Sequence, residues 1–168
     1  DIIVMGHHRL ICGDSTKQET LDKLFGDDRA SMIYSDPIYN IALDYNKGVG
    51  GKQSYGGNVQ DKRTDEDYTD LIRKSIECAV SVSDNDTHVF YWADQSYIWL
   101  FQTLYKELGI QNKRVCMWVK NGFSPTPSAA FNKAYEPCIY GTRGKPFLTP
   151  KKDLTEILND DIRNGNAT

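Results

Sequence analysis

The sequence lacks the features that mark metal-bound, disulfide-bonded and membrane proteins. Its four cysteines never form a C-x-x-C pair, so neither a zinc site nor a disulfide framework is indicated. The adjacent His7 and His8 have no apparent third metal ligand. No apolar run approaches the roughly 20 residues of a membrane-spanning helix, and no charged-then-apolar leader opens the sequence. We expect a soluble, cytoplasmic protein with free thiols and no bound metal.

The chain also lacks an excess of positive charge and the common phosphate-binding motifs. Its net charge is -3 and its isoelectric point is near 5.6, so a nucleic-acid partner would have to meet a local basic patch. No G-x-G-x-x-G follows a strand, which argues against a dinucleotide-binding oxidoreductase. The pattern G-x-x-x-x-G-K-[ST] fails because Asn46 and Gln53 replace its first and last residues, which argues against an NTPase.

Apolar patterns typical of strands and helices alternate along the 168 residues. Helical spacing begins near Thr16, Thr64 and Asp94, and the two threonines are suitable N-caps. The strand-like segments are IIVM, RLIC, ASMIYS, THVFYWA, RVCMWVK and EPCIYGT. The alternation predicts one α/β domain over residues 1–168, with a largely parallel sheet and helices on both faces.

Two segments depart from this alternation. Residues 43–63 contain five glycines and almost no apolar periodicity, which predicts a long mobile loop. Residues 143–168 begin basic and end polar, which is typical of a recognition or tail region. Within that tail, residues 154–158 are expected to form a short helix.

An acid, a proline and an aromatic follow a predicted buried strand in the stretch IYSDPIYN. These residues suit methyl transfer to the exocyclic amine of a base, whose lone pair is delocalised into the ring and is therefore a poor nucleophile. Two rigid acceptors for the amino hydrogens would favour the positive charge that develops during attack. The Asp36 carboxylate supplies one acceptor and the Pro37 carbonyl the other, while the Pro37 ring restricts the backbone.

A base in such a site must leave the duplex, which costs a few kcal/mol. Stacking on Tyr39 would recover roughly 1 to 3 kcal/mol. Asp-Pro also opens many ordinary loops, and this second interpretation stays open on the residues alone. The acid Asp14, which follows another predicted strand end, favours the functional interpretation.

Five motifs occur in order between about residues 9 and 141: LICGDS, MIYSDPIYN, HVFYWAD, CMWVKN and YEPCIYG. Together they resemble the β circular-permutation class of DNA amino-methyltransferases, notably adenine-N6 enzymes of phage and bacterial origin, which carry D-P-P-Y-N, W-x-K-N and H-E-P-x-x-Y-G. The resemblance implies a Rossmann-like methyltransferase fold and site-specific methylation of double-stranded DNA. It implies adenine N6 as the target and cytosine N4 as the second choice, because Asp leads the motif.

The resemblance also implies roles for individual residues. S-adenosyl-L-methionine would be the methyl donor, and Asp36, Pro37 and Tyr39 would be the catalytic residues that hold the target amine. Asn40 would help to shape the base pocket. The residues expected beside the cofactor are Cys12, Gly13, Asp14 and Asp36.

A DNA-facing patch is expected between Lys120 and about Lys152, where this class has its target-recognition region. A solvated loop with ordinary charges is the alternative for the same residues. The basic side chains expected to contact DNA are Lys120, Arg143, Lys145, Lys151 and Lys152.

Three features depart from the family pattern. Ile38 stands where the family has a second proline, and Tyr135 stands where it has histidine. The F-x-G-x-G cofactor loop, which the class carries downstream of the recognition region, does not occur in the 168 residues. A missing C-terminal half or a partner, such as a second copy of the chain, would then complete the cofactor site. The alternative is a degenerate methyltransferase-fold module that binds DNA or a partner protein without turnover.

Overall fold

The computed structural model describes residues 1–44, 46, 60–124, 130–150 and 155–159, without the side chains of 121–124 and 159. A 3-10 turn, Gln95–Tyr97, precedes the third helix. The helices are α1 (Gln18–Phe25), α2 (Asp65–Ser81) and α3 (Ile98–Glu107). The strands are β1 (Ile2–Met5), β2 (His8–Ile11), β3 (Ala30–Ser35), β4 (Ser83–Trp92), β5 (Gln111–Ser124), β6 (Lys133–Arg143) and β7 (Ile157–Asn159).

The strands form an antiparallel hairpin, β1-β2, and a five-stranded sheet in the order β3-β4-β6-β5-β7. The pairs β3-β4 and β5-β7 are parallel, whereas β4-β6 and β5-β6 are antiparallel. The predicted α/β class is confirmed, and the sheet is mixed rather than largely parallel. The reason is the short connection between β5 and β6, because a parallel return needs a crossover of about a dozen residues or more.

The helix starts follow local hydrogen bonds. Thr64 caps α2 as predicted, since its hydroxyl oxygen accepts a hydrogen bond from the N–H of Asp67 at 3.1 Å. The predicted cap at Thr16 is wrong: the hydroxyl of Thr16 donates to the Asp14 carboxylate at 2.7 Å, and α1 begins two residues later. Among the helices that the structure describes, none is both long and apolar enough to cross a bilayer.

The carboxyl-terminal region differs from the sequence-based expectation. The short helix expected over 154–158 is wrong, because Ile157–Asn159 form β7 and pair in parallel with β5. The edge of β5 offers unpaired backbone N–H and C=O groups, and a strand satisfies them where a one-turn helix would not. Most of the mobile loop expected over 43–63 lies outside the described residues.

The hydrophobic core lies between α2, α3 and one face of the five-stranded sheet. On β4 the residues of this face alternate with those of the opposite face, so Val89 and Tyr91 are buried while Phe90 and Trp92 are not. Tyr105 of α3 is fully buried, and its hydroxyl donates to the Ile139 carbonyl at 3.0 Å. The core consists of Ile33, Tyr68, Ile72, Ile76, Val89, Tyr91, Ala93, Leu100, Phe101, Leu104, Tyr105, Ile110 and Ile139.

The opposite face of the sheet is aromatic and open. Tyr34 is 61% exposed, and its hydroxyl accepts a hydrogen bond from the Trp92 indole at 2.6 Å. Phe90 and Tyr140 stack with their ring centroids 4.6 Å apart. A cavity of about 950 Å³ lies against these rings. Within the described residues, α2 and α3 cover only one face of the sheet, so the expectation of helices on both faces is not met there.

The core assignment predicts that alanine substitution of a buried leucine costs more stability than the same substitution of an exposed leucine. Replacing Leu104, which is 1% exposed, by alanine should lower the free energy of unfolding by about 2 to 5 kcal/mol, because a cavity is left in the core. The matched change at Leu10, which is 51% exposed on β2, should alter it by about 0.5 kcal/mol or less. Urea denaturation followed by circular dichroism measures both. Equal losses in the two variants would contradict the assignment.

Candidate active site

The candidate site lies at one edge of the five-stranded sheet. Ser35 at the end of β3 pairs with Tyr91 near the end of β4, so these two parallel strands finish together. The first half of β6 reaches the same edge, because Trp92 pairs with Cys138. The carboxyl ends of parallel strands are the usual place for ligand-binding groups in α/β sheets. Residues that follow β3 and β4 therefore meet residues at the start of β6.

Asp36 and Tyr39 interact at this edge. Asp36 directly follows β3 and is exposed, while Tyr39 is partly buried. Burial raises the pKa of Tyr39, and a hydrogen bond with the Asp36 carboxylate raises it further. Tyr39 is thus a neutral phenol beside the carboxylate, and a carboxylate has lone pairs for more than one donor. Among the hydrogen bonds between described residues, none ends on the Pro37 carbonyl.

The Asn40 side chain is engaged inside the protein. Its amide nitrogen donates to the Tyr97 hydroxyl at 2.8 Å and to the Arg63 carbonyl at 3.3 Å. Its amide oxygen accepts the Arg63 N–H at 2.7 Å. Both amide hydrogens therefore already donate to protein acceptors. Asn40 can still shape a pocket, because these bonds fix the position of its backbone. Its role in base binding stays a prediction.

Four charged side chains form a cluster beside Tyr39. Sequence analysis singled out Lys120 as a DNA contact but did not predict the cluster. The Lys133 ammonium lies 2.9 Å from the Asp94 carboxylate and 3.0 Å from that of Glu136. Lys120 joins the cluster through a contact of 2.9 Å with Glu136. The sequence signals were the acid that ends HVFYWAD, Lys120 in CMWVKN and Glu136 in YEPCIYG. Their pairing could not be predicted, because it joins residues of β5 and β6 to the turn after β4.

The cluster shifts the pKa values of its best-buried members. Burial alone would raise the pKa of Asp94, but hydrogen bonds from Ser96 and Lys133 hold it below the ordinary value. Burial alone would lower the pKa of Lys133, but hydrogen bonds to Asp94 and Glu136 hold it above the ordinary value. Both groups are therefore charged at neutral pH. The cluster as a whole combines two basic and two acidic side chains.

Lys120 and Tyr135 occupy motif positions at the same edge. The Lys120 ammonium lies 4.7 Å from the ring centroid of Trp118, in addition to its contact with Glu136. The hydroxyl of Tyr135 donates to the Gln95 side chain at 2.7 Å. Tyr135, at the family's histidine position, thus links the start of β6 to the turn that follows β4.

Arg143 and Lys145 lie at the other end of the sheet. Arg143 pairs with Thr87 in the first half of β4, and its guanidinium donates to the Val80 carbonyl at 3.3 Å. The backbone N–H of Lys145 donates to the Asp86 carboxylate at 2.7 Å. The structure does not bring either residue together with Lys120. The predicted basic positions Lys151 and Lys152 lie outside the described residues.

Cys12, Gly13 and Asp14 follow β2. The hydroxyl and backbone N–H of Thr16 both donate to the Asp14 carboxylate, and these bonds lower its pKa. A hydrogen bond of 2.9 Å between Ser81 and Gln18 attaches the start of α1 to the last turn of α2, near the amino end of β4. Among the described contacts, none joins this segment to Asp36.

The charge cluster predicts a pH-dependent stability. Lys133→Met should lower the free energy of unfolding by about 1.5 to 3 kcal/mol at pH 7, because two carboxylates lose a charged hydrogen-bond donor. The lowered pKa of Asp94 gives stabilisation that is present above its ordinary pKa, about 3.9, and is lost as the pH falls through the folded-state value. The raised pKa of Lys133 gives stabilisation that is lost only as the pH rises through its folded-state value.

The difference between wild type and Lys133→Met should therefore be constant from about pH 5 to 9 and shrink below about pH 4. Urea titrations across this range measure it. The exposed Lys113 is the control, and its change to methionine should cost about 0.5 kcal/mol or less. A difference that grows in acid would contradict the assigned charges.

The comparisons with known proteins agree with this fold. A family model described as DNA methylase matches residues 30–166. The crystal structure of M1.HpyAVI matches with a TM-score of 0.58 and 12% identity, and covers 88% of this chain and 64% of that chain. The structure titled M1.HpyAVI-SAM complex matches with a TM-score of 0.56 and 12% identity. This match covers 89% of this chain and 64% of that chain.

The chain thus spans less than two thirds of the length of these two neighbours, and at this identity they show the fold. No curated protein sequence matches the chain. The family model covers most of the chain and includes β3 with Asp36, α2, α3 and every other strand of the five-stranded sheet. The chain belongs to the DNA methylase family.

Proposed function

We propose that the protein is a site-specific DNA methyltransferase that uses S-adenosyl-L-methionine to methylate adenine N6 of a base extruded from the duplex. The observation that carries the proposal is the exposed Asp36 carboxylate at the carboxyl end of β3, next to the phenol of Tyr39. Membership of the DNA methylase family supports the reaction class.

The Asp-Pro corner suits an amine substrate. The Asp36 carboxylate lies next to the Tyr39 phenol and has lone pairs for an amino hydrogen. The Pro37 carbonyl accepts no hydrogen bond from the other described residues and is available for the second amino hydrogen. Two acceptors draw the nitrogen towards tetrahedral geometry, and the carboxylate stabilises the positive charge that develops on it.

The aromatic partner of the base would be Tyr39. Tyr39 is partly buried, so the protein holds it while some of its surface stays accessible to a ligand. Stacking on such a ring is worth roughly 1 to 3 kcal/mol and depends little on base identity, so it would offset part of the cost of extrusion. Recognition of adenine would then fall to the acceptors at Asp36 and Pro37.

The residues fit the cofactor only in part. S-adenosyl-L-methionine supplies an electrophilic methyl group when it is bound, and one structural neighbour carries SAM in its title. Asp36 is exposed at the sheet edge and fits a place beside it, whereas Cys12, Gly13 and Asp14 lie towards the amino end of β4. We propose that a C-terminal half or a second copy of the chain completes the cofactor site.

Double-stranded DNA is the proposed partner, and the charge at the site edge bears on how it binds. Lys120 and Lys133 are both paired with carboxylates, so the edge offers little net positive charge. Contacts with DNA phosphates supply most of the affinity of a protein for DNA, and here they would therefore come from residues outside this cluster. Arg143 and Lys145 stay proposed DNA contacts, at a distance from the Asp-Pro corner.

Adenine-N6 methylation, cytosine-N4 methylation and binding without turnover give different products. We would incubate the full-length protein with duplex DNA and S-adenosyl-L-methionine labelled with deuterium in its methyl group, and digest the DNA for mass analysis. We expect labelled N6-methyladenine. Labelled N4-methylcytosine would correct the target, and DNA binding without a labelled base would favour the degenerate module, for which Ile38 is the supporting observation.

The same assay tests Asp36. We expect Asp36→Ala to lower kcat at least about 100-fold, because one preorganised group at the reacting atom is lost. The melting temperature should stay within a few degrees of wild type, since the carboxylate is exposed. Asp27→Ala is the matched control, because Asp27 is an exposed aspartate before β3, and it should keep wild-type activity. Unfolding of Asp36→Ala would show that Asp36 is structural.

A further inference from the structure

The segment that follows Asp36 has a backbone conformation that non-glycine residues avoid. Asn40 has a φ of 57° and Ala42 a φ of 58°. In this left-handed region Cβ lies too close to the following carbonyl oxygen. Asparagine tolerates the region better than other non-glycine residues, so the strain falls mainly on Ala42, which persists there only where the surrounding structure holds it. Contacts from outside residues 38–43 must therefore hold this segment.

Asp61 makes three hydrogen bonds to the segment. One carboxylate oxygen accepts the N–H of Asn40 at 2.7 Å, and the other accepts the N–H of Leu43 at 2.9 Å. The Asp61 backbone carbonyl accepts the N–H of Ala42 at 2.7 Å. Asp61 is only 4% exposed, so water competes little for these bonds. A single buried residue thus fixes both left-handed positions.

Neighbours of Asp61 fix the same segment at two further points. The hydroxyl of Tyr68, a fully buried residue of α2, donates to the Ile38 carbonyl at 2.9 Å. The backbone N–H of Arg63 donates to the Asn40 amide oxygen at 2.7 Å. The segment is therefore attached to residues 61–68 along its length, and α2 transmits the rigidity of the core to it.

We propose that Asp61 is a positioning residue for methyl transfer, an inference that rests on the proposed function. Tyr39 directly precedes the first left-handed residue, and Pro37 lies two positions before Tyr39. Loss of the Asp61 bonds would let the segment relax and move the Pro37 carbonyl and the Tyr39 ring relative to the Asp36 carboxylate. A displacement of about 1 Å at a reacting centre can cost about 100-fold in rate.

Two variants of the full-length protein test this role. Asp61→Asn keeps the shape of the side chain but turns an NH₂ group towards a backbone N–H, so one of the two carboxylate bonds is lost. Tyr68→Phe removes only the bond to the Ile38 carbonyl. We expect kcat for DNA methylation to fall about 10- to 100-fold in Asp61→Asn and to a smaller extent in Tyr68→Phe. KM for DNA should stay within about twofold, because the segment positions the amine rather than the duplex.

Tyr105→Phe is the matched control. Tyr105 is also fully buried, and its hydroxyl also donates to a backbone carbonyl, that of Ile139, but it lies in the core away from the segment. It should lose about as much thermal stability as Tyr68→Phe and keep the wild-type kcat. This comparison separates positioning from general destabilisation, and it remains decisive if Asp61→Asn does not fold.

The outcomes distinguish the two proposals. An active wild type with unchanged kcat in Asp61→Asn and Tyr68→Phe would overturn the positioning role and leave the proposed function standing. A loss of kcat that is equal in Tyr68→Phe and Tyr105→Phe would also overturn it, because stability alone would then explain the effect. A wild type that yields no methylated base with DNA and S-adenosyl-L-methionine would overturn the proposed function, and the positioning role with it.

Discussion

The candidate site depends on one interaction, in which the buried Asp61 carboxylate accepts hydrogen bonds from two backbone N–H groups, those of Asn40 and Leu43. The sheet brings Asp36 to its edge, but a sheet cannot fix the residues that follow the last strand position. Those residues include two in the left-handed region, which the contacts with Asp61, Arg63 and Tyr68 hold in place. Related sequences with a second proline would gain rigidity from covalent geometry at the position of Ile38. Here hydrogen bonds from Asp61 and Arg63, which precede α2, and from Tyr68 of α2 provide it.

The charges at the edge are arranged to support the site more than to attract DNA. Lys133 stands between Asp94 and Glu136, and Lys120 completes the cluster, so positive and negative charges balance. Such a cluster joins the turn after β4 to the second half of β5 and the start of β6. The overall acidity of the chain fits the same picture, since under the proposed function a local contact surface rather than bulk charge would select the DNA.

The features that could be predicted from the sequence are those that depend on residues close together in the chain. The strand before Asp36, the corner itself and the start of α2 at Thr64 all depend on local patterns, and the helix and strand of this part were confirmed. The roles of Asp61, Lys133 and Glu136 could not be predicted, because their partners are distant in sequence and the region before Asp61 lacked any periodic pattern. β7 was misread because three residues pair with an edge that only the folded sheet provides. Thr16 was misread because Asp14 competes for its hydroxyl.

The central claim is geometric: one corner offers two acceptors and an aromatic ring to an extruded base. The most direct measurement is a crystal structure of the full-length protein with target duplex DNA and a non-reactive analogue of S-adenosyl-L-methionine. We expect an extruded adenine whose N6 atom lies about 2.7 to 3.2 Å from both the Asp36 carboxylate and the Pro37 carbonyl, with Tyr39 against the ring. A bound duplex whose target base stays stacked, or an extruded base whose amino group lies beyond hydrogen-bond reach of both acceptors, would contradict the claim.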